Sequence, residues 1–292
     1  MRYHLGHVVL DLPLILLDET QYIFENKQQG LSLFVSFEPP APGITPDGVL
    51  DELSGTLREG YQGMCIQHFR KPLTFLGDPA AQAFLQLGLA LGGGEIHMLA
   101  ANGARQVTLL KLITGQETNN GEGLALFEHI LRTAASAQAA WSPKAERAGY
   151  VRRQAGLLTL EMPEVLRAPR SFFFSSQDRS VRLTLQFEDG PPEAGAPIFE
   201  DLLPPQEADV TLELVTEAEK PFSSAGLRGV DGTWEVRSVR GGQALDRYAV
   251  KRLTLPLAGG RTFQALAMAR GPGVPTLESS WTQLTTTLRP GD

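Results

Sequence analysis

The chain contains an internal repeat, which constrains its fold more than any other feature of the sequence. Residues 154–188 align with residues 4–38 without a gap. The identical pairs include Gly6 and Gly156, Leu10 and Leu160, Pro13 and Pro163, Leu16 and Leu166, Phe24 and Phe174, and Phe37 and Phe187. A repeat unit of this length is typical of tandem domains and not of a solenoid. The sequence therefore predicts two copies of one domain.

The predicted domain boundaries follow from this repeat. A chain of 292 residues accommodates two domains of about 100–150 residues each. We expect the first domain at residues 1–140, a linker with mixed charge around Pro143 at residues 141–152, and the second, diverged domain at residues 153–292.

Each copy is predicted to consist of three strands, a helix, a strand meander and a closing helix. The clearest strand is 31–37, where Leu31, Leu33 and Val35 alternate with serines. Helices are expected near residues 46–59, 124–139 and 277–288, and a short one near 198–203. Because mostly antiparallel strands with helices on one side define an α+β domain, we predict an α+β fold class.

Composition and charge argue against several classes of protein. The net charge is −7 and neither half is basic, so electrostatic capture of nucleic acid is not expected. The single cysteine, Cys65, cannot form an internal disulfide, which suits a reducing compartment. Asp11 and Pro13 interrupt the N-terminal apolar run, and no stretch reaches the ~18–20 residues of a membrane span. We therefore expect a soluble cytoplasmic protein that does not insert into a membrane.

The residues of common catalytic sites occur without their usual patterns. His4 and His7 could suggest a metal pair, but no cluster of cysteines or carboxylates completes a site. The glycines at 92–94 lack the Lys-Ser/Thr of a phosphate loop and predict a hairpin turn. Asp11 and Glu161 occupy the same repeat position, which favours a shared structural role over an acid/base pair. We predict no enzymatic activity, no cofactor and no metal ion.

Several predicted strands of the first copy are apolar on both faces, which a half-buried antiparallel sheet should not be. Two explanations remain open. Either the second copy or another chain packs on the second face, or this face is an apolar groove for a partner segment. The groove hypothesis rests on four candidate partner-binding residues: Phe34, Phe84, Leu110 and Leu112.

Three segments resemble a known family. These are YHLGHVVLDLP at 3–13, GLSLFVSFEPP at 30–40 and LFEHILRTA at 126–134. They look like the DcrB/PsbP-like fold, and within it most like the Eag chaperones of bacterial type VI secretion systems. The likeness covers residues 3–135 and is weaker over 150–290. Typical members have a single domain, so the tandem form departs from the family.

This resemblance implies a non-enzymatic chaperone or adaptor. Such proteins shield the N-terminal transmembrane helices of a secreted effector in the cytoplasm before loading, commonly as dimers with apolar grooves. A tandem chain could supply both halves as a pseudo-dimer, or it could self-associate. The alternative is an immunity protein that inhibits a cognate type VI toxin by direct binding. Two-domain immunity proteins have a related architecture, and their C-terminal end is loosely similar to WTQLTTTLRP at 281–290.

Overall fold

The structure is a computed structural model. It describes residues 1–40, 43–60, 65–88, 93–104, 106–115, 122–137, 144–145, 147–191 and 210–291, with the backbone alone at 65–69. Of these residues, 58% lie in strands and 18% in helices, and the strands form four sheets. The predicted α+β class, with helices packed on one side of each sheet, is therefore wrong, because the fold is dominated by antiparallel sheets.

The helices and strands are numbered in chain order. The strands are β1 (Arg2–His4), β2 (Val8–Asp11), β3 (Leu16–Asp18), β4 (Tyr22–Asn26), β5 (Leu31–Glu38), β6 (Cys65–Phe75), β7 (Asp78–Leu87), β8 (Glu95–Asn102), β9 (Val107–Thr114), β10 (Ala135–Ser136), β11 (Tyr150–Ala155), β12 (Leu158–Pro163), β13 (Ser171–Ser176), β14 (Val181–Asp189), β15 (Val210–Ser224), β16 (Leu227–Arg240), β17 (Gln243–Leu257), β18 (Arg261–Arg270) and β19 (Arg289–Pro290). The helices are α1 (Pro46–Gly60), α2 (Glu122–Thr133) and α3 (Val274–Thr287).

Packing divides the chain into two compact units. One, the nested unit, is Glu19–Pro169. The other, the flanking unit, combines Met1–Asp18 with Arg170–Asp292. The chain thus passes between units at residues 18/19 and 169/170, whereas the repeat predicts boundaries near residues 140 and 153.

The nested unit is built on a six-stranded antiparallel sheet in the order β4-β5-β9-β8-β7-β6. Helix α1 buries Leu50 against apolar side chains of β7, β8 and β9, including Leu85, Met98 and Leu109. Helix α2 packs against β8 and β9 through Phe127, whose ring stacks on His97. Because His97 and Met98 are consecutive strand residues, the two helices cover opposite faces. A small sheet, β10-β12-β11, completes the unit.

The flanking unit is built on a seven-stranded sheet in the order β15-β16-β17-β18-β14-β13-β3. Three of its strands, β15 to β17, have 14 or 15 residues each. Helix α3 packs against β2, β14 and β18, and its Trp281 Nε1 donates to Asp231 Oδ1 at 3.1 Å. A second small sheet, β1-β2-β19, lies in this unit.

Three of the predicted helices are present with adjusted ends. The prediction at 46–59 corresponds to α1, that at 124–139 to the shorter α2, and that at 277–288 to α3. The helix predicted near 198–203 lies outside the described residues. Strand β11 begins at Tyr150, inside the predicted linker. No helix among the described residues is long and apolar enough to cross a membrane.

Candidate partner-binding surface

The four residues predicted to form a groove do not share one face of the sheet. Phe84 and Leu112 each lie opposite His97 in their strand pairs, so both face the same side. Leu110 alternates with Leu112 and shares that side. Phe34 pairs with Lys111, which points to the other face. The predicted groove therefore has no common surface, because its residues were assigned to one side without knowledge of the strand register.

The side that carries Phe84, Leu110 and Leu112 is closed by the chain itself. Leu110 and Leu112 are 1% and 0% exposed. Helix α2 covers them, and Phe127 is also fully buried there. The half-buried Phe84 ring lies 4.9 Å from the His97 ring. The sequence suggested that the second copy, another chain or a partner segment covers this face. The structure instead places α2, a helix of the same unit, over it.

Phe34 is half-buried on the opposite face and contacts a cation. The Lys111 Nζ atom lies 4.5 Å from the centre of its ring, which is the geometry of a cation–π interaction. Burial lowers the pKa of Lys111. These contacts hold Phe34 within the nested unit.

An exposed apolar surface instead lies on the flanking unit. We name it the apolar tip, and its residues are Leu14, Ile15, Leu17 and Phe173. Leu14 and Ile15 are 65% and 56% exposed, Leu17 is 40% exposed and Phe173 is 46% exposed. Leu17 lies opposite Ser175 in β13, and Phe173 lies two residues further along on the same face. Leu17 and Phe173 therefore share one face of the sheet, and Leu14 and Ile15 lie in the turn immediately before β3.

A tight turn presents the first two residues of the apolar tip. The Leu16 amide donates to the Pro13 carbonyl at 3.1 Å, which places Leu14 and Ile15 at the corner. The Leu16 side chain is buried and anchors the turn. Turn corners are usually built from Gly, Asn, Asp, Ser or Pro, so two large aliphatic side chains are unusual there.

The nested unit contains a matching turn with a different corner. The Leu166 amide donates to the Pro163 carbonyl, also at 3.1 Å, and Leu166 is buried. The corner residues are Glu164 and Val165, and Val165 is 52% exposed. Because this turn forms with Glu164 at its first corner position, its geometry does not require an apolar residue there. Leu14 thus has no structural purpose in the turn itself, which favours a role in binding.

Cationic side chains lie beside the apolar tip. Exposed Arg182 pairs with Ser175 on the same face of the sheet, and exposed Arg179 lies in the following turn at φ 56°. Asp178 in this turn accepts hydrogen bonds from the Ser176 and Ser180 hydroxyls and the Ser180 amide, which lower the pKa of its carboxyl. The Asp178 carboxylate is therefore engaged in hydrogen bonds within the turn. Arg179 and Arg182 form a cationic border beside the apolar tip.

Two histidine–glutamate pairs lie in the nested unit. His97 Nε2 lies 3.0 Å from Glu95 Oε2, and His129 Nε2 lies 3.1 Å from Glu161 Oε1. Glu161 is fully buried and also accepts a hydrogen bond from the Arg147 amide. Among the described residues, no three His, Cys, Asp or Glu side chains lie close enough together to hold a metal ion.

The histidines that suggested a metal pair have other contacts. His7 Nε2 accepts from Arg261 Nη1 at 2.6 Å, and the His7 ring packs near Phe187. His4 lies in β1 and pairs with Val9. Both belong to the small sheet of the flanking unit and its surroundings.

Sequence reasoning missed the apolar tip, although a signal was present. The repeat alignment places Leu14 and Ile15 opposite Glu164 and Val165, between the matched prolines and leucines that form the turn. The presence of Leu14 where the second copy has Glu164, within a shared turn, points to a surface with a separate role. The exposure of Phe173 could not be read from the alignment, because Ile23, which occupies its place in the first copy, is also apolar.

Comparison with known proteins gives structural neighbours at low sequence identity. No protein-family model matches the chain, and no curated protein matches it. The immunity protein TplEi of the type VI secretion system from Pseudomonas aeruginosa, complexed with "L" peptide, superimposes with a TM-score of 0.40 and 10% identity, over 100% of this chain and 98% of that chain. The Tle4-Tli4 complex gives a TM-score of 0.44 and 10% identity, over 100% and 97%. The PsbP protein CyanoP from Synechocystis sp. PCC 6803 gives 0.29 and 12%, over 51% and 97%.

Proposed function

We propose that this chain is a non-enzymatic immunity protein that binds a type VI secretion toxin directly through the apolar tip. The observation that carries the proposal is the exposure of Leu14 and Ile15 at a turn whose counterpart has Glu164 and Val165. The family resemblance of the sequence supplies the class of partner, and the division into two compact units agrees with two-domain immunity proteins.

The apolar tip can contribute binding energy through burial of its exposed side chains against a partner. Full burial of one Leu, Ile or Phe side chain contributes about 1.5–3 kcal/mol to association. Four such exposed side chains, with Arg179 and Arg182 nearby, match an apolar patch on the partner with a carboxylate at its edge. Such a surface suits a folded toxin domain.

The second candidate function is a cytoplasmic chaperone for the transmembrane segments of an effector. Its support is the likeness of residues 3–135 to Eag chaperones. A chaperone of that kind needs a groove large enough for apolar helices, and the predicted groove residues Leu110 and Leu112 are covered by α2. This burial is the reason for placing the immunity function first.

The test compares one substitution at each of the two matched turns. Leu14→Glu gives the flanking turn the Glu-aliphatic corner that the nested turn already has, so the variant should fold. Val165→Glu is the matched control. Tagged full-length chains would be used to isolate the toxin from the native host, and its affinity for each purified variant would then be measured by calorimetry.

We expect Leu14→Glu to weaken binding about tenfold or more, as for loss of one buried leucine, and Val165→Glu to leave it unchanged. The isolated partner should have a toxic activity that the wild-type chain inhibits. A partner whose only bound part is an N-terminal apolar segment, and whose activity is unaffected, would instead establish the chaperone function. Equal binding by Leu14→Glu and wild type would remove the apolar tip from the interface.

A further inference from the structure

The flanking unit is completed by a hairpin that comes from the far N-terminal end of the chain. Strands β1 and β2 pair with each other, and β2 also pairs with β19, where Val9 lies opposite Arg289. Val8 and Leu10 of β2 are fully buried, and α3 packs against this strand. The Asp11 amide donates to Thr287 Oγ1 at 2.8 Å, which ties the hairpin to the end of α3.

The nested unit is completed in the same way by residues from the second repeat. Strands β11 and β12 form a hairpin, and β12 pairs with β10, where Thr159 lies opposite Ala135. Leu160 and Met162 are fully buried, and α2 packs against β12. His129 of α2 contacts the Glu161 carboxylate of this hairpin at 3.1 Å.

The two hairpins agree residue by residue with the predicted repeat. Arg2 lies opposite Asp11 in one hairpin, and Arg152 lies opposite Glu161 in the other. Each arginine contacts its acidic partner, at 2.9 Å in the first hairpin and 3.8 Å in the second. Each hairpin is followed by its Pro-to-Leu turn and then by a short extended segment. That segment pairs Leu17 with Ser175 in one unit and Arg167 with Glu25 in the other.

We propose that the two copies of the repeat exchange their N-terminal hairpins. The hairpin and turn of the first copy, residues 1–18, complete the body of the second copy, and residues 150–169 complete the body of the first. The surface formed by α2 and β10, like that formed by α3 and β19, is therefore an acceptor site. Its partner is the N-terminal hairpin of another copy of this domain. The proposal rests on the repeat and is independent of the proposed function.

The two acceptor sites are built alike, which supports the proposal that each binds the hairpin of the other copy. Both offer one short strand, β10 or β19, as an edge for the second strand of the hairpin. Both place a side chain of the preceding helix, His129 or Thr287, beside the acidic residue of that strand. In each case the acceptor strand and helix come from one copy and the hairpin comes from the other. A chain with only one copy would have an empty acceptor and an unpaired hairpin, and two such chains could satisfy both only as an exchanged dimer.

The test uses pairs of cysteines in the full-length chain, with Cys65→Ser as background. Residues 9 and 159 occupy the same position of the repeat. In the exchanged arrangement, Thr159 lies next to Ala135 and Val9 lies next to Arg289. If each copy were self-contained, the two hairpin residues would trade places: Val9 would lie next to Ala135, and Thr159 next to Arg289. Directly opposite residues of antiparallel strands lie within disulfide reach with small adjustments.

We expect a disulfide within one chain for Ala135→Cys with Thr159→Cys, and for Arg289→Cys with Val9→Cys. The matched controls, Ala135→Cys with Val9→Cys and Arg289→Cys with Thr159→Cys, should not form it. The measurement is mass spectrometry of peptides cross-linked under mild oxidation, with circular dichroism to show that each variant folds. The two expected disulfides test the same exchange of hairpins, so one double variant still gives a result if the other does not fold. Cross-linking of the control pairs, or bonds that join two chains, would overturn the proposal.

Discussion

At the scale of single residues, the same acidic position has different surroundings in the two units. Asp11 pairs with Arg2 at the surface, where the side chains are 23% and 52% exposed. Glu161 is fully buried, and its carboxylate contacts His129 and the Arg147 amide. A buried carboxylate loses its hydration and depends on these partners, whereas water stabilises the exposed one.

The stability of the nested unit should therefore depend strongly on Glu161. We expect Glu161→Ala to lower the free energy of unfolding by about 3 kcal/mol, because the groups around the carboxylate are left buried without it. Asp11→Ala removes an exposed pair and should cost at most about 1 kcal/mol. Urea titration followed by circular dichroism would measure both. Equal losses from the two substitutions would contradict this assignment.

His97 should make the nested unit sensitive to acid. Its ring is buried between Phe84 and Phe127, and burial lowers its pKa, although Glu95 and Glu128 oppose the shift. The unfolded chain then binds the proton more readily than the folded chain. Stability is therefore fully present above the ordinary histidine value of about 6.5 and is lost as the pH falls below it.

The measurement is the urea midpoint of the nested unit at several pH values between neutral and mildly acidic. We expect the midpoint to fall on acidification in the wild type. His97→Phe, whose ring can stack between the same two phenylalanines, should flatten this dependence. A variant with the wild-type pH dependence would assign the effect to other groups.

At the scale of elements, two glycines differ in the space that their surroundings leave for a Cβ atom. In β16, the Trp234 ring lies over Gly232, and a Cβ there would come within 2.0 Å of it. Trp234 is fully buried, and its Nε1 donates to Glu217 at 3.1 Å. In α1, a Cβ at Gly55 would meet nothing within 4 Å.

Replacement of these glycines by alanine should have opposite effects. Gly232→Ala forces Trp234 out of its site and should destabilise the flanking unit by about 2 kcal/mol or more. Gly55→Ala should stabilise α1 by up to about 1 kcal/mol, because alanine loses less backbone entropy in a helix. Tryptophan fluorescence during thermal unfolding would report the first, and circular dichroism the second. A native tryptophan spectrum for Gly232→Ala would contradict the packing of Trp234 over the glycine.

The apolar periodicity of single segments predicted some helices and strands well. It could not predict which elements pack against them. The alternation of Leu31, Leu33 and Val35 with serines gives β5, and the acidic first turn before Leu50 gives α1. The two-sided apolar pattern of β9, with Leu109 and Leu110 on opposite faces, showed that both faces are covered. It did not show that α1 and α2 cover them, because the identity of a packing partner is not encoded in the period of one strand. For this reason the sequence could not show that the four predicted groove residues lie on two different faces.

At the scale of the whole molecule, the repeat was visible in the sequence but its connectivity was not. The alignment of residues 4–38 with 154–188 describes which segments are alike. It contains no information on whether β12 pairs with a strand of its own copy or of the other, since both choices bury the same side chains. The contacts of β10 with β12, and of β19 with β2, distinguish these arrangements.

Removal of residues 1–18 should therefore damage the distant end of the chain. The flanking unit would lose β1, β2 and β3, including the buried Val8 and Leu10, and we expect it to unfold. The nested unit retains all its segments and should stay folded. Amide hydrogen exchange would show lost protection in β14 and β18 and retained protection in β8 and β9. Lost protection in β8 and β9 instead would indicate that each copy is self-contained.

The passage of the chain between units at residues 18/19 and 169/170 has a consequence for inheritance. Recombination between two related genes at the repeat boundary would give a chimera in which each acceptor meets a hairpin from a different parent. Crossovers at both passages together would instead exchange the whole nested unit with its hairpin and keep the flanking unit from a single parent. Viable chimeras of this protein should therefore join their parents near residues 18 and 169, and the two copies should diverge as matched sets of hairpin and acceptor.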